Sequence, residues 1–291
     1  MSTTDVISLL IQGVLLGGLY ALFATGLSLV FGVMRLVNLA HGDFIVVAAY
    51  AGLSVLLVLP IHPFLALAIV VPVMALFGYL LQLGLFNRVL GTDPFRPLLV
   101  TFGISVIIQN VLLLTFSADT RRLSAGAIET QSVAVGPISI GVYPIAVFAV
   151  ALLVTAALQW LLYATPLGRQ LRATSDDPEI VGIVGVERLR IFAIASAIAF
   201  GVIAIAGVLM AVRTNFDPSI GPGRLLVAFE AVIIGGLGSF WGTLIGAMVL
   251  SLAQSVGAAI DPAYQNIAGH LVFVLVLLLR PSGLFPRVIH S

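Results

Sequence analysis

Apolar residues run in long stretches at 6–30, 44–59, 64–86, 97–116, 142–163, 191–212, 225–234, 240–259 and 267–279. The stretches are continuous rather than alternating, so each reads as a helix that satisfies its own backbone groups in lipid and not as a barrel strand. At about 1.5 Å per residue, a hydrocarbon layer of about 30 Å takes about 20 residues to cross. Most of the stretches meet that length. Of those that fall short, 225–234 is about half a span and 44–59 is also short, and both adjoin a glycine-containing interruption: GGLGS at 235–239 and LAHGD at 39–43. The pattern predicts an all-α integral membrane protein of about eight transmembrane helices, with broken or re-entrant helices near 37–43 and 235–239.

Interrupted helices at corresponding places in two halves are a transporter device near the bilayer midplane, where freed carbonyls and helix ends face a polar path. With Gly42 set over Gly238, HGDF at 41–44 falls over LGSF at 237–240, with apolar sequence on both sides. This alignment predicts a weak two-half pseudo-repeat. No polar stretch exceeds about 30 residues, which leaves no room for an aqueous domain, so 1–291 reads as a single transmembrane domain.

Composition agrees: 60% of residues are hydrophobic and 9% charged, with a mean hydropathy of +1.20. The formal net charge of +1 points to no nucleic-acid surface, and the absence of cysteine removes disulfides, thiolate metal sites and cysteine nucleophiles. The first basic residue is Arg35, so no basic-led secretory signal is read. Arg169, Arg172, Arg188 and Arg190 cluster in the loop at about 165–190, which the positive-inside rule makes cytoplasmic. Counting crossings from there puts Arg88, Arg96, Arg280 and Arg287 on the same side and Arg121, Arg122, Arg213 and Arg224 on the other; the side of Arg35 and of the N-terminus is left open.

No phosphate-binding glycine loop with its Lys occurs, and the chain has no Lys at all. GxSxG and HExxH are absent, and His41, His62, His270 and His290 stand singly. The chain therefore reads as no enzyme, with no catalytic residue, metal or cofactor. Ionisable groups within apolar runs are costly and are functional candidates by default. Asp43 and Glu230 qualify. Asp43 reads as the cap of a helix starting at Phe44 in preference to a path ligand, and Glu230 either faces the path or pairs with Arg224. His41 donates to a carbonyl at the unwound turn or lines the path, and Asn38 satisfies backbone groups at the break. Of these three, His41 is the one expected to meet the solute. Gly235, Gly236 and Gly238 permit the second break. Gln109, Asn110, Gln254 and Asn266 read as interhelical hydrogen-bond partners.

Within the polar loop, 168–174 predicts a short helix with Arg169 and Arg172 on one face, and Pro178 starts a second. Together, NLAHGDF, GRQLRATSDDPEIVGIVGV, VIIGGLGSFWGTLIGA and LLRPSGLF resemble the LivH-type permeases of branched-chain amino-acid ABC importers, over nearly the whole chain. The resemblance implies a permease of the bacterial cytoplasmic membrane that pairs with a second related permease, two ATP-binding subunits and an extracytoplasmic binding protein. It carries ATPase coupling to Gly168, Arg169, Arg172, Ala173, Asp177 and Gly185, while Val181 and Pro178 depart from the pattern. The substrates implied are branched-chain amino acids or a related amide, urea or aromatic acid. The rival reading is an ion-coupled secondary transporter or channel titrating Asp43, His41 and Glu230.

Overall fold

Helix α1 (Thr3–Met34) opens with a capping box, in which the Ser2 hydroxyl accepts from the Asp5 N–H and the Asp5 carboxylate accepts from the Ser2 N–H. It ends where Arg35 adopts the left-handed conformation at φ 52°. A computed structural model of the chain describes residues 2–91, 93, 95–177 and 185–285. The chain continues through α2 (His41–Val58), α3 (Pro63–Leu81, prolonged by a π-helical turn, Gln82–Phe86, to Val89) and α4 (Phe95–Phe116). A hairpin of β1 (Ser132–Val135) and β2 (Ile138–Gly141) leads to α5 (Val142–Ala164), then α6 (Pro166–Asp176) and α7 (Arg188–Arg213). The last helices are α8 (Gly221–Gly235), α9 (Phe240–Ile260) and α10 (Tyr264–Leu279). Among the described residues seven helices are long and apolar enough to cross a membrane, with α8 and α10 shorter.

Helices α1 and α7 form the centre and bury most of their length, whereas α4 and α10 lie outermost. Packing follows a two-fold pattern. Antiparallel to α9, α1 sets Gly13 against Leu252 and Gly17 against Met248, and the Thr243 hydroxyl donates to Ser28 Oγ over 3.1 Å. In the same way α7 lies antiparallel to α3, with Phe200 against Gly78 and the Ser196 hydroxyl donating to Gln82 Oε1 over 2.6 Å. Helices α1 and α7 cross each other, and so do α2 and α8. Thus α1–α3 and α7–α9 repeat one arrangement in opposite directions, while the outer helices differ: α10 packs along α9, and α4 does not pack along α3.

This symmetry corrects the pairing of HGDF with LGSF. The link 35–40 between α1 and α2 corresponds to the link 214–220 between α7 and α8, while GGLGS corresponds to the turn between α2 and α3. The first break is also displaced: His41, Gly42 and Asp43 form the first turn of α2, and the interruption is 35–40.

The Ser175 hydroxyl of α6 donates to the Gly32 carbonyl over 2.6 Å, so the end of α1 lies on the α6 face and its N-terminal end on the opposite face. Arg35, Arg88, Arg96 and Arg280 share the α6 face, which the positive-inside rule makes cytoplasmic. Arg287 falls outside the described residues.

Candidate functional site

The link 35–40 does not stay at the membrane surface. His41 Nε2 lies 2.8 Å from the Phe23 carbonyl, eleven residues before the end of α1 and roughly 16 Å above it at ~1.5 Å per residue. The link therefore climbs back into the membrane, and its backbone groups find partners there. The Ala40 N–H donates to Asn38 Oδ1 over 3.0 Å, the His41 N–H to the Asn38 carbonyl over 3.2 Å, and the Leu39 N–H to Thr101 Oγ1 over 3.1 Å. Asn38 and His41, 3% and 1% exposed, both spend their polar groups inside the chain.

From the other direction, 214–220 enters beside an antiparallel bridge between Arg121 and Phe216 and delivers α8 to the same depth. The first turns of α2 and α8 cross there at van der Waals range. A Cβ on Gly42 would lie 1.9 Å from the Gly221 carbonyl oxygen, and one on Gly221 would lie 2.1 Å from Asp43 Oδ1. Only glycine permits this approach at either position. Two helix N-termini, each reached from a different face, thus meet in the membrane interior.

Asp43 is no cap: it is the third residue of α2, the N-cap is Ala40, and no side chain caps that end. Its Oδ1 instead accepts from Gln109 Nε2 of α4 over 3.0 Å, while Oδ2 is buried without a hydrogen-bond partner. Glu230 of α8 makes the matching tie to the other outer helix. Its Oε1 lies 2.5 Å from His270 Nδ1 on α10, so the ring N–H donates to the carboxylate. The pairing with Arg224 is overturned, because His270 reaches the carboxylate and Arg224 does not. Glu230 is sealed in, with a side chain 2% exposed, whereas 42% of the His270 side chain is exposed. Each half therefore holds its outermost helix with a buried carboxylate. Gln254 is interhelical as expected, accepting from the Tyr20 hydroxyl over 2.6 Å, while Asn110 donates to Val106 within its own helix.

The glycines of the second break lie elsewhere. Gly235 ends α8, and Gly236 and Gly238 take φ 105° and 80°, a left-handed region that makes the elbow before α9. Leu284 and Phe285 close over this elbow: their N–H groups donate to the Ile234 and Gly235 carbonyls over 2.9 and 3.0 Å. Beside it, a narrow cleft is lined by Gly238, Phe240, Ser28, Gly32, Leu171 and Arg172. The GGLGS elbow thus sits against α6.

α6 is fastened by the residues that turn the chain into it. The Thr165 hydroxyl donates to the Leu161 carbonyl over 2.6 Å and accepts from the Gly168 N–H over 3.0 Å. Gly168 is required, since a Cβ would fall 2.1 Å from the Leu161 carbonyl oxygen. Arg172 folds back, donating to the Leu162 carbonyl and lying 4.7 Å above the Tyr163 ring. Arg169 and Arg172 therefore do not share an exposed face. The exposed stripe is Pro166, Arg169, Gln170, Ala173 and Asp176, at helical spacing. Asp177 follows as the C-cap, and Gly185 has φ 83°; the second short helix and Val181 fall outside the described residues.

Residues 9–279 match the model of the family described as branched-chain amino acid transport system / permease component. The chain belongs to this family. It is 27% identical to the high-affinity branched-chain amino acid transport system permease protein BraD of Pseudomonas aeruginosa, over 96% of this chain and 95% of that one. It is 26% identical to the permease protein LivH of Escherichia coli K12, over 95% and 94% of the two chains, and 27% identical to the probable LivH of Methanocaldococcus jannaschii, over 95% and 91%. No solved structure matches it. A permease component is a membrane part and not itself catalytic, and among the described residues no cluster of three metal-ligating side chains occurs.

Sequence reasoning missed three features of this permease. Gly221 carried a signal in the GPG of 221–223, a turn-like triplet ahead of an apolar half-helix. Thr101 and Ser175 carried none, because a hydroxyl that serves a distant backbone group looks like any other.

Proposed function

We propose that this permease is one membrane subunit of an ATP-driven importer of branched-chain amino acids or of a related amide, urea or aromatic acid. A second related permease completes the membrane part as a heterodimer, two ATP-binding subunits sit beneath it, and an extracytoplasmic binding protein delivers the solute. The exposed stripe on α6 carries the reading. It is a helix outside the lipid, bonded through Ser175 to α1 and through Arg172 to α5 and packed tightly on α5 at Gly168, with Pro166, Arg169, Gln170, Ala173 and Asp176 turned outward. Such a face suits docking by a motor whose movement then enters the membrane through α1 and the GGLGS elbow.

Asn38, His41 and Asp43 hold the half-helix crossing together beside the solute path, which runs along the boundary with the second permease. Glu230 orients the half-exposed His270 toward that path, and Gly235, Gly236 and Gly238 form the elbow that α6 moves. The names of the relatives support the substrate class, and the absence of Lys, hence of an ATPase loop, supports the need for partner subunits.

Reconstitution tests this reading. Uptake of L-leucine into proteoliposomes is expected only when the second permease, the ATPases, the binding protein and ATP are all present. Uptake by this chain alone under a proton gradient, abolished by Asp43→Asn, would favour the ion-coupled transporter instead.

A further inference from the structure

With Glu230 tied to His270, Arg224 makes no ion pair among the described residues. Its Nε is buried without a hydrogen-bond partner, and so is Nη1 of Arg213 in the last turn of α7. Among the described residues no carboxylate oxygen lies within 4.0 Å of either guanidinium. The acids nearby are engaged: Asp217 Oδ1 accepts from the Ser219 N–H over 2.8 Å and from its hydroxyl over 2.5 Å, and Glu129 pairs with Arg122 over 2.7 Å. Both guanidinium groups lie within electrostatic reach of the Tyr20 hydroxyl, which is itself committed to Gln254. The Tyr143 hydroxyl, near Arg213, donates to the Leu209 carbonyl over 2.6 Å.

Two half-buried cations that each keep a buried nitrogen without a hydrogen-bond partner are costly, and a bound anion lowers that cost. Arginine offers a planar fork of donors that matches a carboxylate in shape and charge. Both side chains keep part of their surface exposed, and Pro222 and Gly223 beside Arg224 are exposed, so a small solute can reach them. The first turn of α8 adds the positive end of its dipole.

We propose that Arg213 and Arg224 form a carboxylate-binding site between the outer face and the α2–α8 crossing, which takes the carboxylate of the solute in transit. That the carboxylate belongs to a transported solute rests on the importer reading; that the pair binds carboxylates does not. Asp217 offsets part of the positive charge on the Arg224 side, which suits a monoanion better than a phosphate.

Phenylglyoxal modification of the full chain in lipid nanodiscs, read arginine by arginine by mass spectrometry, tests the site. Isovalerate is the probe, with isovaleramide and chloride as controls at equal ionic strength. Isovalerate is expected to slow modification of Arg213 and Arg224 but not of Arg121 or Arg169, and the controls to protect neither. Arg224→Gln should weaken the protection of Arg213 by about tenfold, the scale of losing a charge-assisted hydrogen bond, and Arg224→Lys by less. Equal protection by isovalerate, isovaleramide and chloride would overturn the site and leave the importer reading intact. Absence of ATP-driven uptake by the assembled complex would overturn the importer reading while selective protection kept the site.

Discussion

A methyl group on Gly42 would lie 1.9 Å from the carbonyl oxygen of Gly221 and 2.6 Å from the Leu225 nitrogen, backbone atoms of another helix that cannot rotate away. Overpacking a core costs about 1–3 kcal/mol even where side chains yield. Gly42→Ala is therefore expected to lower the melting temperature of the purified permease sharply or to prevent folding. Gly103→Ala, within α4 and with nothing inside 4 Å of its Cβ, is the control. Alanine there should be neutral or stabilising by up to about 1 kcal/mol, through helix propensity. Equal melting temperatures for the two variants would show that α2 and α8 do not cross there.

Arg169 and Arg172 should separate in mutants. Arg169→Glu changes only the exposed stripe and is expected to abolish co-purification with the ATPases while leaving thermal stability unchanged. Arg172→Glu also removes the donor to the Leu162 carbonyl and the contact with Tyr163, so it should reduce both. Retained ATPase association in Arg169→Glu would move the docking face elsewhere.

Glu230 and His270 should behave as a coupled pair. His270→Leu strands a buried carboxylate, a change that costs about 3–5 kcal/mol in comparable pairs. Adding Glu230→Leu is expected to restore most of that stability, since replacing both partners of a buried pair is often neutral. Denaturation of the two single variants and the double variant closes the cycle, and additive effects would mean that the two side chains do not interact.

Gly236→Ala places a side chain at φ 105°, a strain of about 1–3 kcal/mol. The elbow lies beside α6, so the expected signature is weakened stimulation of ATPase activity by the loaded binding protein, with the crossing at Gly42 unaffected.

The sequence announced helices and lipid because these follow from runs of apolar residues. It placed the second break, at 235–239, and displaced the first. Glycine flagged HGD, but the chain leaves α1 through a left-handed Arg35, a choice no residue preference announces. The partner link 214–220 drew no expectation, because nothing local tells a surface loop from one that re-enters the bilayer. Forty residues and the whole of α9 separate Glu230 from His270, so their contact exists only in the packed bundle. Gln109 was legible as a helix-to-helix donor, since an amide in an apolar run needs a partner.

The exchange by which α1 packs on α9 and α7 on α3 sets an order for biogenesis. Ser28 meets Thr243, and the 215 residues between them take on the order of ten to forty seconds to translate at ~5–20 residues per second. Throughout that interval α1 waits in the bilayer with the polar groups of Tyr20 and Ser28 lacking the α9 residues they will bond, a window in which an insertase or membrane chaperone has something to hold.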